Sequence, residues 1–110
     1  IMITQSVIDR LYREQKGVCQ FCHRPIPPYH VHHAVYSRDK RFSKFLDMPE
    51  NLVLTCPACH AQHGKLSNIF MRCCVWSWKI DHNYDMKKWH ENIPMFIKDN
   101  FIYIDKEEQT

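Results

Sequence analysis

Two cysteine pairs, Cys19 with Cys22 and Cys56 with Cys59, and a histidine doublet, His32 and His33, are the residues whose spacing points to chemistry. A C-x-x-C turn aims both thiolates at one point, and two such turns supply the four sulfurs of a closed tetrahedral zinc site. Paired cysteines of this kind fit a metal in a reducing compartment better than disulfides. The 33 residues between the pairs exceed the roughly 15–20 of the familiar zinc-ribbon spacing, so the two turns hold a sizeable insert. Two unrelated turns with buried thiols, or redox-active pairs, are the alternatives for this pattern. Cys73 and Cys74 are adjacent, a poor geometry for mutual bonding or chelation, and are expected to be packed thiols.

The insert contains "VHHAV", Val31 to Val35. Neighbouring side chains of an extended chain leave opposite faces, so His32 and His33 are expected to point apart. Downstream, "ENLVLTCPACHAQH" carries Asn51, the second cysteine pair, His60 and His63. Two histidines three apart on a helix share a face and can reach the same ion.

Helices and strands must hold these residues in place. Thr4 to Lys16 reads as an amphipathic helix, capped by Thr4 or Ser6, with Val7, Ile8, Leu11 and Tyr12 as its stripe and Gly17 at its exit. "CQFCHRPIPP" is a turn and an irregular proline-rich connection. Tyr29 to Tyr36 reads as a strand, "SRDKRFSKFLDMPEN" as a long loop, and "NLVLT" as a second strand. Pro57 suits the first position of a helix carrying Cys59, His60 and His63. Beyond Leu66, "NIFMRCCVWSW" fits helix or strand, "DMKKWHENI" a helix and "FIYI" a terminal strand. Trp76, Trp78 and Trp89 are expected in the core, and His23, His30, His82 and His90 in surface or structural positions.

The 110 residues, 45% of them hydrophobic and 13% aromatic, fit one α+β domain over residues 1–110. Its core is expected at about 17–66, preceded by a helix at 4–16 and followed by an extension at 67–110. A core this small gains from a structural metal. The sequence shows no apolar run of about 18–20 residues and no signal-peptide pattern, so a cytoplasmic protein without membrane contact is expected. Lys and Arg outnumber Asp and Glu nine to five in residues 1–65 but stand at six to seven in 66–110. The surplus includes Arg38, Lys40, Arg41 and Lys44, interleaved with Phe42 and Phe45. Such a segment suits a nucleic-acid backbone, with an aromatic wedged against bases; a solvated charged face is the alternative.

As a set, "VHHAV", "ENLVLTCPACHAQH" and the flanking C-x-x-C resemble the HNH nucleases of the ββα-metal (His-Me finger) group, over about residues 17–66. The resemblance implies a small ββα-metal domain with a four-cysteine structural zinc and flanking helices. It assigns His33 as general base, His32 and His60 as ligands of a catalytic divalent ion, and Asn51 as the residue that braces the loop and orients the base. His63 falls one residue earlier than the second helical histidine of some His-His relatives, and is a further ligand or a phosphate contact. His32 stands where many relatives carry aspartate, which favours transition metals and leaves Mg2+, Mn2+, Ni2+ and Zn2+ open. The implied activity is metal-dependent hydrolysis of phosphodiester bonds in duplex, nicked or branched DNA, leaving 5′-phosphate and 3′-hydroxyl ends. Such hydrolysis needs a base for water and a cation for the phosphate and leaving oxygen, and an imidazole with a pKa of roughly 6.5 suits the first task. The alternative is a non-catalytic, zinc-stabilised module binding nucleic acid or protein. The small size associates with a phage or bacterial context.

Overall fold

In the computed structural model, which describes residues 3–35, 40–63 and 69–94 without the side chains of 40, 63 and 69–71, the chain opens with helix α1, Gln5–Glu14. Thr4 is its cap: the hydroxyl accepts from the Val7 amide at 3.3 Å, satisfying an amide that has no partner within the helix. Leu11 is fully buried, with Val7 and Ile8 partly so. Tyr12, expected in the same stripe, is 40% exposed instead. Its hydroxyl donates to the Ile26 carbonyl at 3.3 Å and its ring fills the space above Gly17. Gly17 has a φ of +69°, and a Cβ there would lie 2.9 Å from the Tyr12 hydroxyl, so both backbone and space require glycine.

Strands β1, His30–His33, and β2, Leu52–Thr55, pair antiparallel with His30 opposite Thr55 and His33 opposite Leu52. β1 is shorter than the expected 29–36 because Ala34 and Val35 leave the ladder to bond Asn51. Every residue of β2 is buried. Leu52 and Leu54 join Leu11, Ile26 and the cysteines on one side, while Val53 packs with Ala34 and Val75 on the other. The outer edge of β2 is closed by the side chain of Gln15. Its carbonyl oxygen accepts from the Leu54 amide, and its amide donates to the Leu54 carbonyl, both at 2.8 Å. One glutamine thus stands in for a neighbouring strand and satisfies an otherwise orphaned edge. Helix α3, Pro57–His63, follows at once with Pro57 at its first position, completing a β1–β2–α3 unit.

The segment expected to be a long loop contains short helices: a 3-10 turn at Lys40–Phe42, helix α2 at Ser43–Leu46 and a second 3-10 turn at Pro49–Asn51. Its apolar residues explain the difference. Leu46 is buried, and Phe42, Phe45 and Met48 pack against Val35, Trp76, Tyr84, Met86, Trp89 and Ile93. Two further helices, α4, Ile69–Asp81, and α5, Met86–Asn92, supply Trp76, Met86 and Trp89, while Tyr84 and Ile93 flank α5. The ambiguous "NIFMRCCVWSW" is therefore helical from Ile69, and "DMKKWHENI" is helical as expected. Trp76 and Trp89 are core residues, whereas Trp78 is half-buried and stacks on His82 at 3.8 Å. Cys73 packs on the cluster, but Cys74 is exposed rather than packed. The "FIYI" segment and Arg38 lie outside the described residues. Among those described, no helix is long and apolar enough to cross a membrane.

Candidate functional site

Two tight turns bring the cysteines together. In the first, the Cys19 amide donates to Arg24 at 2.8 Å and the His23 amide to Cys19 at 3.0 Å, while His23 takes a φ of +62°. In the second, the Cys59 amide points at the Cys56 sulfur at 3.4 Å, matched by Phe21 on Cys19 at the same distance. All four Sγ atoms lie within 4.8 Å of one another. The Cys22 and Cys56 sulfurs are 3.7 Å apart, close to the edge of about 3.8 Å that a tetrahedron with metal–sulfur bonds of about 2.3 Å requires. The four cysteines are positioned to hold a metal ion. Burial pushes the Cys19 thiol up, yet peptide hydrogen bonds around it outweigh this and bring it down to about 7. Burial and the neighbouring thiols push Cys59 up. A divalent ion is what lets all four ionise.

The doublet does point two ways. His32 is buried, its ring 5.5 Å from Phe21 and 5.9 Å from His60, centroid to centroid. His33 is directed instead to Asp47, with Nε2 2.8 Å from Oδ1. A carboxylate only accepts, so Nε2 carries the proton and the lone pair of the neutral ring lies on Nδ1. His60, at the start of the α3 face that meets β1, lies against His30: the two Nδ1 atoms are 3.1 Å apart. Burial, with the nearby charges of His30 and His33, holds the His60 imidazole below its usual pKa, which favours the neutral form that binds metals.

Asn51 is a brace. It is 1% exposed, its Oδ1 accepts from the Val35 amide at 2.9 Å, and its Nδ2 donates to Val35 at 2.9 Å and Leu46 at 2.8 Å. Together with the backbone bond from Ala34 to Asn51 at 2.9 Å, these contacts clamp the end of β1 to α2, and Asp47 is the C-cap of α2. Asn51 thus fixes both partners of the His33–Asp47 pair.

The structure therefore brings His32, His33, Asn51 and His60 into one region and adds Asp47 and His30, which the sequence reading left out. A signal for His30 exists: it is two residues from His32, hence on the same strand face. Asp47 has none, because its approach depends on α2. His63 ends α3, but its side chain is outside the description, as is that of Lys40. Arg41 and Lys44 are exposed beside their phenylalanines. Phe42 and Phe45, the aromatics interleaved with them, are partly buried and pack against the core.

The site is thus built on two strands followed by a helix, with histidines on the strand and the helix. Residues 19–66 match the HNH endonuclease family. No curated protein and no solved structure matches the chain. The HNH segment covers a little under half of the sequence, starts at Cys19 and ends just past α3. It contains the ββα unit, the four-cysteine cluster, and every candidate site residue just described. α1, α4 and α5 lie outside the HNH segment and pack around it.

Proposed function

We propose that the chain is a metal-dependent HNH endonuclease that hydrolyses phosphodiester bonds in DNA. The observation that carries this reading is the His33–Asp47 pair, set at the end of β1 in an HNH segment whose opposite strand face meets His60 of α3. In this role His33 takes a proton from water on Nδ1, while Asp47 holds the ring and stabilises the imidazolium that forms. Asn51 acts through the other two, as a positioning residue. His32 and His60, with His63 by its place on α3, are the residues to hold a divalent ion, whose charge would stabilise the phosphate and the departing oxygen. Cys19, Cys22, Cys56 and Cys59 hold a structural zinc, consistent with a reducing, cytoplasmic setting. Arg38, Lys40, Arg41 and Lys44 border this region in sequence and are assigned to backbone phosphates.

The test is nicking of supercoiled plasmid, with branched and single-stranded substrates alongside, in EDTA, Mg2+, Mn2+, Ni2+ or Zn2+. Wild type is expected to nick with a divalent ion and not in EDTA, and His33→Ala to lose about 10²- to 10⁴-fold, the usual share of general acid–base catalysis. Equal rates for wild type and His33→Ala on every substrate overturn the proposal and leave a binding module.

A further inference from the structure

The His30–His60 contact is not explained by packing. His30 lies at the exposed start of β1, and an imidazole there is under no pressure to bury itself. Its ring nevertheless turns onto α3, edge-on to His60 with centroids 4.9 Å apart and the two Nδ1 atoms 3.1 Å apart. An ion with metal–imidazole bonds of about 2.0–2.1 Å sets neighbouring nitrogens about 3.3 Å apart in a tetrahedron and about 3.0 Å apart in an octahedron. The observed separation lies between these. The same strand face carries His32, whose ring also stands edge-on to His60. Strand alternation thus delivers His30 and His32 to one side and His33 to the other.

We propose that His30 is a ligand of the divalent ion, sharing it with His60 through their Nδ1 atoms and with His32 on the same face. The inference rests on the nuclease reading for the presence of that ion and extends its ligand set by one residue. With His60 and His32, His30 would complete a nitrogen-rich site, which selects Zn2+, Ni2+ or Co2+ over Mg2+. It also gives the ion a ligand set that does not depend on His63.

The rival role for His30 is a brace that hydrogen-bonds α3 to β1 and never touches metal. Metal affinity separates the two without recourse to cleavage. Full-length protein with its cysteine site loaded with zinc is titrated with Ni2+ in a calorimeter, for wild type, His30→Ala, His30→Gln and His30→Asp, with His82→Ala as a control for a histidine outside the site. Residues that only orient a ligand cost about 10- to 100-fold in affinity. A ligand costs more, so His30→Ala and His30→Gln are each expected to lose over about 100-fold. His30→Asp, which restores an anionic ligand, is expected to recover part of the loss and to favour Mn2+ relative to wild type. Unchanged circular dichroism certifies the fold of each variant. If His30→Ala or His30→Gln loses less than about 100-fold while His60→Ala abolishes binding, His30 is no ligand and the nuclease reading stands. If wild type takes up no second ion, both fall.

Discussion

The thiol cluster and the histidine cluster meet at adjacent residues, Cys59 and His60, yet they are assembled in different ways. Each thiol pair is set by a turn of a few residues whose amides point at sulfur, and the four sulfurs gather in a largely buried group. The histidines come from a strand and a helix, His33 needs Asp47 from the end of α2, and Asn51 must clamp β1 to that helix. A site made of local turns plus a cation holds the fold together. A site made of distant side chains is held by the fold, and its residues can be chosen for reactivity.

On that contrast, breaking the thiol cluster has the largest effect. A structural zinc contributes about 10–16 kcal/mol of apparent binding free energy, comparable with the whole stability of a small domain. Cys19→Ser, or stripping the metal with a strong chelator, is expected to abolish the cooperative thermal transition. His60→Ala is expected to leave one tightly held zinc and a Tm within a few degrees of wild type. Calorimetry and a metal count decide it; a Cys19→Ser protein that melts like wild type erases the distinction between the two sites.

Next in size is Asn51→Ala. It leaves the Val35 amide and the Val35 and Leu46 carbonyls without their side-chain partner in a buried setting, at about 1–3 kcal/mol for each unsatisfied group. A loss of about 3 kcal/mol or more in urea unfolding is expected, with zinc retained. Below about 1 kcal/mol, water is replacing the amide and Asn51 is no brace.

The same contrast explains which parts were legible in the sequence. The cysteine turns depend on residues three apart, and the α1 cap on Thr4 and the next few residues, so both could be read directly. The doublet's opposed faces follow from strand alternation alone. Asp47 could not be read, because its position depends on Phe42, Phe45 and Leu46 folding a charged, proline-containing stretch into short helices against Trp76 and Trp89. Tyr12 left its helical stripe for the same kind of reason: a tertiary contact with Gly17 and Ile26 outweighed its place on the wheel. α4 was ambiguous because its apolar residues cover most of its circumference, which suits a buried helix and a buried strand alike.

A third, smaller effect asks whether the helical layer outside the HNH segment matters to either site. Lys79 of α4 is fully buried, with Nζ 4.4 Å from the Tyr84 ring centroid and 5.3 Å from that of Trp78. Its ammonium makes no hydrogen bond among the described residues. Burial pulls its pKa down to about 7, against the opposing pull of Glu14 and Glu50, with Arg10 adding to the fall. The unfolded chain holds this proton up to about pH 10.4, so between pH 7 and 10 the unfolded state binds more protons and stability rises with pH, by up to about 1.4 kcal/mol per unit. Lys79→Met is expected to flatten that rise and to stabilise the protein at pH 7 by about 1–2 kcal/mol. Urea titrations of both proteins at several pH values isolate the lysine by difference. Nickel and zinc affinities should not move; a change in either would tie the outer layer to the sites.

The smallest effect on stability, and the sharpest test of the histidine site, comes from Asp47→Asn. The His33–Asp47 pair is about one-fifth exposed on each side, and such ion pairs contribute about 0–1 kcal/mol, so Tm should hardly change. The tautomer of His33 should. An amide donates as readily as it accepts, so it no longer forces the proton onto Nε2, and part of the population carries it on Nδ1, where the proposed base needs its lone pair for water. Turnover in the nicking assay is therefore expected to fall at least about tenfold with KM and metal affinity unchanged, and Asp47→Glu to recover some of it. A loss of stability without a loss of turnover would place Asp47 with the thiol turns, among the residues that hold the fold rather than serve the reaction.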